Sequence, residues 1–196
     1  YEWAELWIIA ARLEADIPNK YPAVCEHLEQ YKGKGKLGDN STTKVFGRPW
    51  WAWMQEPVNY WEDFDEHKII YPNMTKFLPF YYDVEGFLTN QKCFIITGKY
   101  LAFLTAFFNS SLFKLCFRDN FPELQGGTRE LSKVFFDKIP ILLVDEDTNA
   151  QFAELVQDIQ QEYTREKAML IDECLFDLYD LTEEEREQVF DFQSEG

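Results

Sequence analysis

Cys25, Cys93, Cys116 and Cys174 are the first residues to test for chemistry, because thiolates hold metals, pair as disulfides and act as nucleophiles. Each stands among apolar neighbours, no C-x-x-C pair occurs, and only His27 and His67 could add imidazole ligands. That spacing fits neither a zinc site nor a disulfide framework. The four are expected as buried free thiols in a reducing cytoplasm. Glu62, Asp63, Asp65 and Glu66 lie close together, but no concentrated His, Cys or carboxylate set accompanies them, so a solvated turn is expected. The stretch KGKGKLGDNSTTK is different in kind. It carries Lys32, Lys34, Lys36 and Lys44 on an exposed glycine-rich loop, with Arg48 just beyond. Two uses are open to it: a plain solvated loop, or an arm that lays ammonium groups along nucleic-acid phosphates.

The elements that must position such groups follow from pattern. Hydrophobic residues make up 46% of the chain and aromatics 17%, enough for a real core and too apolar for disorder. No run approaches the ~20 apolar residues a membrane span needs. The chain starts without Met and without a basic leader, which suggests a piece of a longer chain. The opening run Trp3, Leu6, Trp7, Ile8, Ile9 and Leu13 fits a short strand or a helix turn. Pro22 suits the first turn of a helix over about 22–32. Trp50, Trp51 and Trp53 in GRPWWAWMQ are expected in a core. Lys68–Tyr71 is apolar at successive positions and reads as a strand buried on both faces. Leu78–Asp83, Gly86–Thr89 and Cys93–Thr97 read as an antiparallel meander, its first turn at Asp83-Val84-Glu85-Gly86. Tyr100–Phe108 is apolar nearly all round and should be a deeply packed helix. Asn109-Ser110-Ser111 should cap a second one over Leu112–Phe117. Lys133–Phe136 reads as a strand. From Ala150 to about Tyr179 one long amphipathic helix is expected, with Phe152, Leu155, Val156, Ile159, Tyr163, Leu170, Cys174 and Leu178 on its apolar stripe. Thr182 and Glu185 have capping-box spacing for a short final helix. The fold class is therefore α+β: a small antiparallel or mixed sheet packed with apolar helices, then a helical tail.

Charge divides the chain unevenly. The net charge of −16 looks wrong for a phosphate-binding protein. Yet residues 141–196 hold three basic against seventeen acidic groups, a balance of −14, so the rest is close to neutral. The division expected is a lead-in over 1–48, a core over 49–142 and an acidic helical arm over 143–196, its charge turned away from any phosphate surface.

Four segments carry a resemblance. KIIYPNM is followed by PFYYDVEGFLTNQKCFIITG; then come LTAFFNSSLFKLCFR, GGTRELSKVFFDKIPI and the ending LIDECLFDLYDLTEEE. In this order they resemble the TaqI-like C-terminal specificity domain of adenine-type restriction–modification enzymes. The resemblance covers about residues 67–185 and implies a domain that reads double-stranded DNA. It also implies an upstream N6-adenine methyltransferase domain in the same parent chain, using S-adenosylmethionine, with cleavage as well in some members. Neither centre is expected in these residues: there is no Asn-Pro-Pro-aromatic motif, no Gly-rich cofactor loop and no Asp–(Glu-x-Lys) nuclease set. Neither a catalytic residue nor a cofactor of its own is assigned to this piece.

For a duplex reader, polar residues on turns of an apolar body are the candidates. Arg129 on the loop Gly126-Gly127-Thr128 comes first: an arginine fork spans guanine O6 and N7, paired glycines allow close approach, and Thr128 could donate to a phosphate. Gln125 stands beside it. Asn73, Thr75 and Lys76 make a second loop, Gln91 and Lys92 a third, and Lys133 is a backbone-contact candidate. Lys32, Lys34, Lys36, Lys44 and Arg48 complete the set. The rival class is a protein-interaction module docking through the acidic C-terminal helix.

Overall fold

The computed structural model describes residues 6–33, 47–52 and 59–194. It divides into two compact units, residues 2–61 and residues 62–196. In the first, residues 6–12 are irregular and a single 3-10 turn, Leu13–Ala15, follows. Of the strand or helix turn expected for the opening run, no strand forms among its described residues, the helical turn takes in only Leu13, and Leu6, Trp7 and Ile8 are exposed. Helix α1 (Ile17–Lys20) precedes α2 (Pro22–Glu29), which starts with proline in its first turn as its sequence predicts but ends sooner. Leu28, Ile17 and Ala11 pack with Trp51 and Ala52, and Trp50 lies against them, so both of these tryptophans belong to a small core. Trp3 and Trp53 lie outside the described residues.

The second unit is organised on strand β1 (Lys68–Pro72), the central strand of its sheet. Next come β2 (Met74–Thr75), β3 (Tyr81–Asp83) and β4 (Cys93–Thr97). The sheet order is β3-β1-β4, antiparallel throughout, with Ile69 opposite both Tyr82 and Ile96. The meander is therefore wrong in two respects. Residues 86–89 are irregular, and the strands flank β1 instead of following one another. The cause is Asp83. Its carboxylate accepts the N–H groups of Glu85 (2.9 Å) and Phe87 (2.8 Å), folding the chain away from the sheet where a hairpin would have continued. The same carboxylate meets the Lys68 ammonium at 2.6 Å, and both side chains are 0% exposed. Lys68 also donates to the carbonyl of Phe64 at 2.7 Å.

Helix α3 (Leu101–Asn109) lies beneath the sheet with all but two of its residues buried, as its composition requires. Ser110 then caps α4 (Ser111–Asn120), its hydroxyl accepting the N–H of Phe113. Asn109 fastens α3 to the chain ahead of β3: its side-chain amide exchanges hydrogen bonds with the backbone N–H and C=O of Phe80. Phe80, Phe107, Phe108, Phe113, Phe121 and Phe136 form one aromatic cluster, with Tyr71 stacked on Phe80 at 5.2 Å. Burial pushes the Tyr71 phenol up to about 12, so it stays neutral.

Beyond α4 a second ladder forms, β2 with β5 (Arg129–Glu130). Lys133–Phe136 is not a strand but a short helix, α5. Ser132 stands at its N-cap position, and the turn brings both Phe135 and Phe136 onto Phe121, which an alternating strand could not do. The long C-terminal helix is also corrected. It is two helices, α6 (Glu146–Gln161) and α7 (Arg165–Leu178). Glu162 is extended, and the Thr164 hydroxyl accepts the Lys167 N–H to start a new helix. The break takes Tyr163 and Leu170 off the apolar stripe and leaves them exposed. The last helix, α8 (Glu183–Ser194), starts with the expected capping box: Glu185 accepts the Thr182 N–H at 2.8 Å, and Thr182 accepts the Glu185 N–H at 3.4 Å.

These helices are bound to the body at specific points. Gln160 makes a two-way hydrogen bond with the backbone of Tyr82, covering the edge of β3. Asn149 accepts the Phe103 N–H. Asp172, buried, accepts both the N–H and the hydroxyl of Ser111 at the start of α4. Burial raises the Asp172 carboxyl above its ordinary value, opposed by the Ser111 hydrogen bonds. Helix α8 is held by Arg186, paired with Glu173 (3.0 Å) and Asp177 (2.6 Å). No helix among the described residues is long and apolar enough to cross a membrane.

Two of these fastenings can be tested by substitution. Lys68→Met leaves a buried carboxylate alone and should cost about 3–5 kcal/mol in urea unfolding. Adding Asp83→Asn, which keeps an acceptor for the turn, should return part of that loss. Because the folded state holds the Asp172 proton to higher pH than the unfolded state, this group's contribution to stability falls as pH rises from the ordinary aspartate value through the raised one. Asp172→Asn should therefore gain on the native protein across that window, measured as the difference between their unfolding midpoints at each pH.

Candidate nucleic-acid interface

Three loops that are far apart in sequence meet where β1 leaves the sheet. The Asn73 N–H donates to the carbonyl of Lys92 at 2.9 Å, and the Asn73 carbonyl accepts the Leu131 N–H at 2.9 Å. Between these, Met74 lies opposite Glu130 and Thr75 opposite Arg129 in the β2–β5 ladder. Asn73–Lys76, Gln91–Lys92 and Gly126–Arg129 are thus joined through backbone hydrogen bonds into one margin. All lie at the Pro72–Cys93 end of the three-stranded sheet, whereas the Lys68–Asp83 pair closes the other end.

Each loop is stiffened locally. The Thr75 hydroxyl accepts the Phe77 N–H (3.0 Å) and donates to the Phe77 carbonyl (2.8 Å). Asn90 accepts the Lys92 N–H at 2.9 Å through its side chain, forming a tight turn that presents Gln91 and Lys92 to solvent. The Leu124 N–H donates to the Thr128 carbonyl at 2.7 Å, closing the glycine loop. Gly126 (φ 79°) and Gly127 (φ 75°) are both left-handed, which a side chain would resist even though the space around them is open.

The arginine is turned inward. Its guanidinium donates to the Phe121 carbonyl at the end of α4, pairs with Glu123 at 3.3 Å, and lies over the Phe117 ring. The side chain is only 16% exposed. Arg129 therefore ties the glycine loop to α4, and a base contact would require it to give up those bonds. Thr128 is half-buried beside it, while Lys76, Gln91 and Lys92 are exposed. Lys133 stands outside the ladder on α5, exposed and paired with Asp137 at 2.7 Å; such a surface pair contributes only about 0–1 kcal/mol and opens readily.

The basic lead-in belongs to the other unit. Lys32 is exposed just past α2 with its ammonium 4.8 Å from the Trp50 ring, and Arg48 is half-buried. Lys34, Lys36 and Lys44 lie outside the described residues. Met74, Phe77 and Glu130, which sequence reasoning passes over, also sit at the margin and are exposed. The signal for Met74 and Phe77 is the placing of apolar residues in the turn PNMTKF, where polar ones are the norm.

The geometry is that of an apolar body with a margin of short loops joined by backbone hydrogen bonds. The family model of the TaqI-like C-terminal specificity domain matches residues 16–141. That is more than half of the chain, and the chain belongs to this family of DNA sequence-recognition domains of restriction–modification systems. It is a specificity domain and not a catalytic one. No curated protein matches the chain.

Replacing Arg129 tests whether it fastens the glycine loop. Arg129→Ala should cost about 1–3 kcal/mol of stability, because its charged hydrogen bonds go with it. It should also speed amide exchange in residues 123–131, and Arg129→Lys should restore little because it lacks the fork.

Proposed function

We propose that this chain reads a short duplex DNA site through the margin of three loops and turns an N6-adenine methyltransferase domain on the same polypeptide toward one adenine. S-adenosylmethionine would bind to that other domain. The observation that carries this is the convergence of Asn73–Lys76, Gln91–Lys92 and the Gly126–Arg129 loop at one end of the sheet. Asn73 and Gln91 have the amide chemistry that pairs with adenine N6 and N7; Glu130 can accept from cytosine N4. Lys76, Lys92 and Lys133 supply ammonium groups for phosphates on either side. Arg129 acts from behind, holding the loop that Gln125, Gly126, Gly127 and Thr128 form. The lysines of residues 32–44 and Arg48, on the first unit, would bind phosphates in their own right.

The acidic tail is compatible with this role because of where it is anchored. Its fastenings are Tyr82, Phe103 and Ser111, and its apolar residues Phe152, Val156, Ile171, Leu175, Phe176 and Val189 are buried within the unit. That burial occupies much of the tail's apolar face, while Tyr163, Met169 and Leu170 stay exposed. A near-neutral body with such a margin can bind an anion despite the acidic tail.

Binding of a random duplex pool, measured against salt concentration, tests the proposal. Lys76→Ala with Lys92→Ala should weaken all sequences alike and reduce the salt slope by ~0.9 for each phosphate no longer neutralised. An unchanged slope would remove both lysines from the interface. No binding even at low salt would favour a protein partner instead.

A further inference from the structure

Phe77 is 77% exposed and Met74 is 55% exposed, on a segment where every other feature favours polar residues. An isolated apolar side chain on a surface is ordinary. What sets these two apart is how firmly the segment is held. Asn73 is bonded on both sides, to Lys92 and Leu131; Met74 and Thr75 are paired with Glu130 and Arg129; and the Thr75 hydroxyl closes the turn onto both backbone groups of Phe77. The backbone that carries the ring is fixed before any ligand arrives, so little entropy is lost on binding. Lys76 lies between the two apolar residues and Lys92 across from Asn73, both exposed, as cationic neighbours. Glu130 beside Met74 is the acidic one.

We propose that Phe77, on the same pinned segment as Met74, forms an apolar contact for the C5-methyl group of thymine in the major groove. This rests on the duplex-reading role of the same margin and adds a specificity element to it. The methyl group is the only apolar group that base pairs present in that groove, and G·C pairs lack it. An aromatic ring placed among polar side chains would favour A·T at its position without a hydrogen bond. Lys76 on the adjoining residue would hold the neighbouring phosphate and keep the ring in register.

The test uses the chain as it stands. A tight-binding duplex is first selected from a random pool by the chain itself, then remade with each thymine in turn replaced by deoxyuridine, which lacks only the methyl group. At one or two positions the native protein should bind the uracil duplex about four-fold more weakly per methyl group removed. Phe77→Ala should bind the thymine duplex more weakly and no longer distinguish the two; Phe77→Leu should keep part of the difference. An unchanged melting temperature is expected for Phe77→Ala, since the ring is exposed. Equal binding of every thymine and uracil pair by the native chain would overturn the inference while leaving duplex reading intact. A difference that survives in Phe77→Ala would also overturn it. A chain that selects no duplex would overturn both proposals.

Discussion

The ion pair of Lys68 with Asp83 is the contact on which the second unit depends. Two charges with no exposure are costly to bury, and the cost is met here because neither is left short of partners. Lys68 reaches the Phe64 carbonyl as well as the carboxylate, and Asp83 takes two backbone N–H groups from the turn that follows. One pair of side chains thus sets the register of β1 against β3, ends β3, and directs the chain away from the sheet. With that end closed, the opposite end of β1 is where the chain is free to leave the ladder and form loops.

The motifs that carry the family resemblance are fasteners of this body. The lysine of KIIYP and the aspartate of DVEG are the buried pair. The Asn109-Ser110 step pins the Phe80 backbone and caps α4. The aspartate of LIDE secures the tail at Ser111, and the GGTRE loop is held from behind by its own arginine. On the proposed reading, recognition falls to exposed residues on loops that these fasteners hold: Met74, Lys76, Phe77, Gln91 and Lys92. Such an arrangement lets the reading surface vary without disturbing the core.

Sequence made some of the helical structure legible. The all-round apolar α3, the Ser110 cap and the Thr182–Glu185 box are local events, and local chemistry announced them. Three failures share a different origin. The central place of β1 depends on pairing between distant segments, which alternation within one segment does not encode. Lys133–Phe136 carries strand-forming residues, but Phe121 rewards a helical turn that brings both rings to one side. The break at Glu162 was hidden because the apolar spacing resumes in phase soon after it. At the margin, the three loops were identifiable as polar turns, and their placement together depends on two backbone hydrogen bonds at Asn73 and a two-residue ladder. The inward turn of Arg129 was not legible at all, since the carbonyl of Phe121 and the carboxylate of Glu123 become its partners only in the folded chain.

The central claim is that one end of the sheet, built from three separate loops, is the face that meets duplex DNA. Amide hydrogen exchange of the chain with and without a binding duplex tests it most directly. Slowed exchange at residues 73–77, 90–92 and 124–131, with α6 and α7 unchanged, is the predicted result. Protection over α6 and α7 with none at the three loops would contradict it.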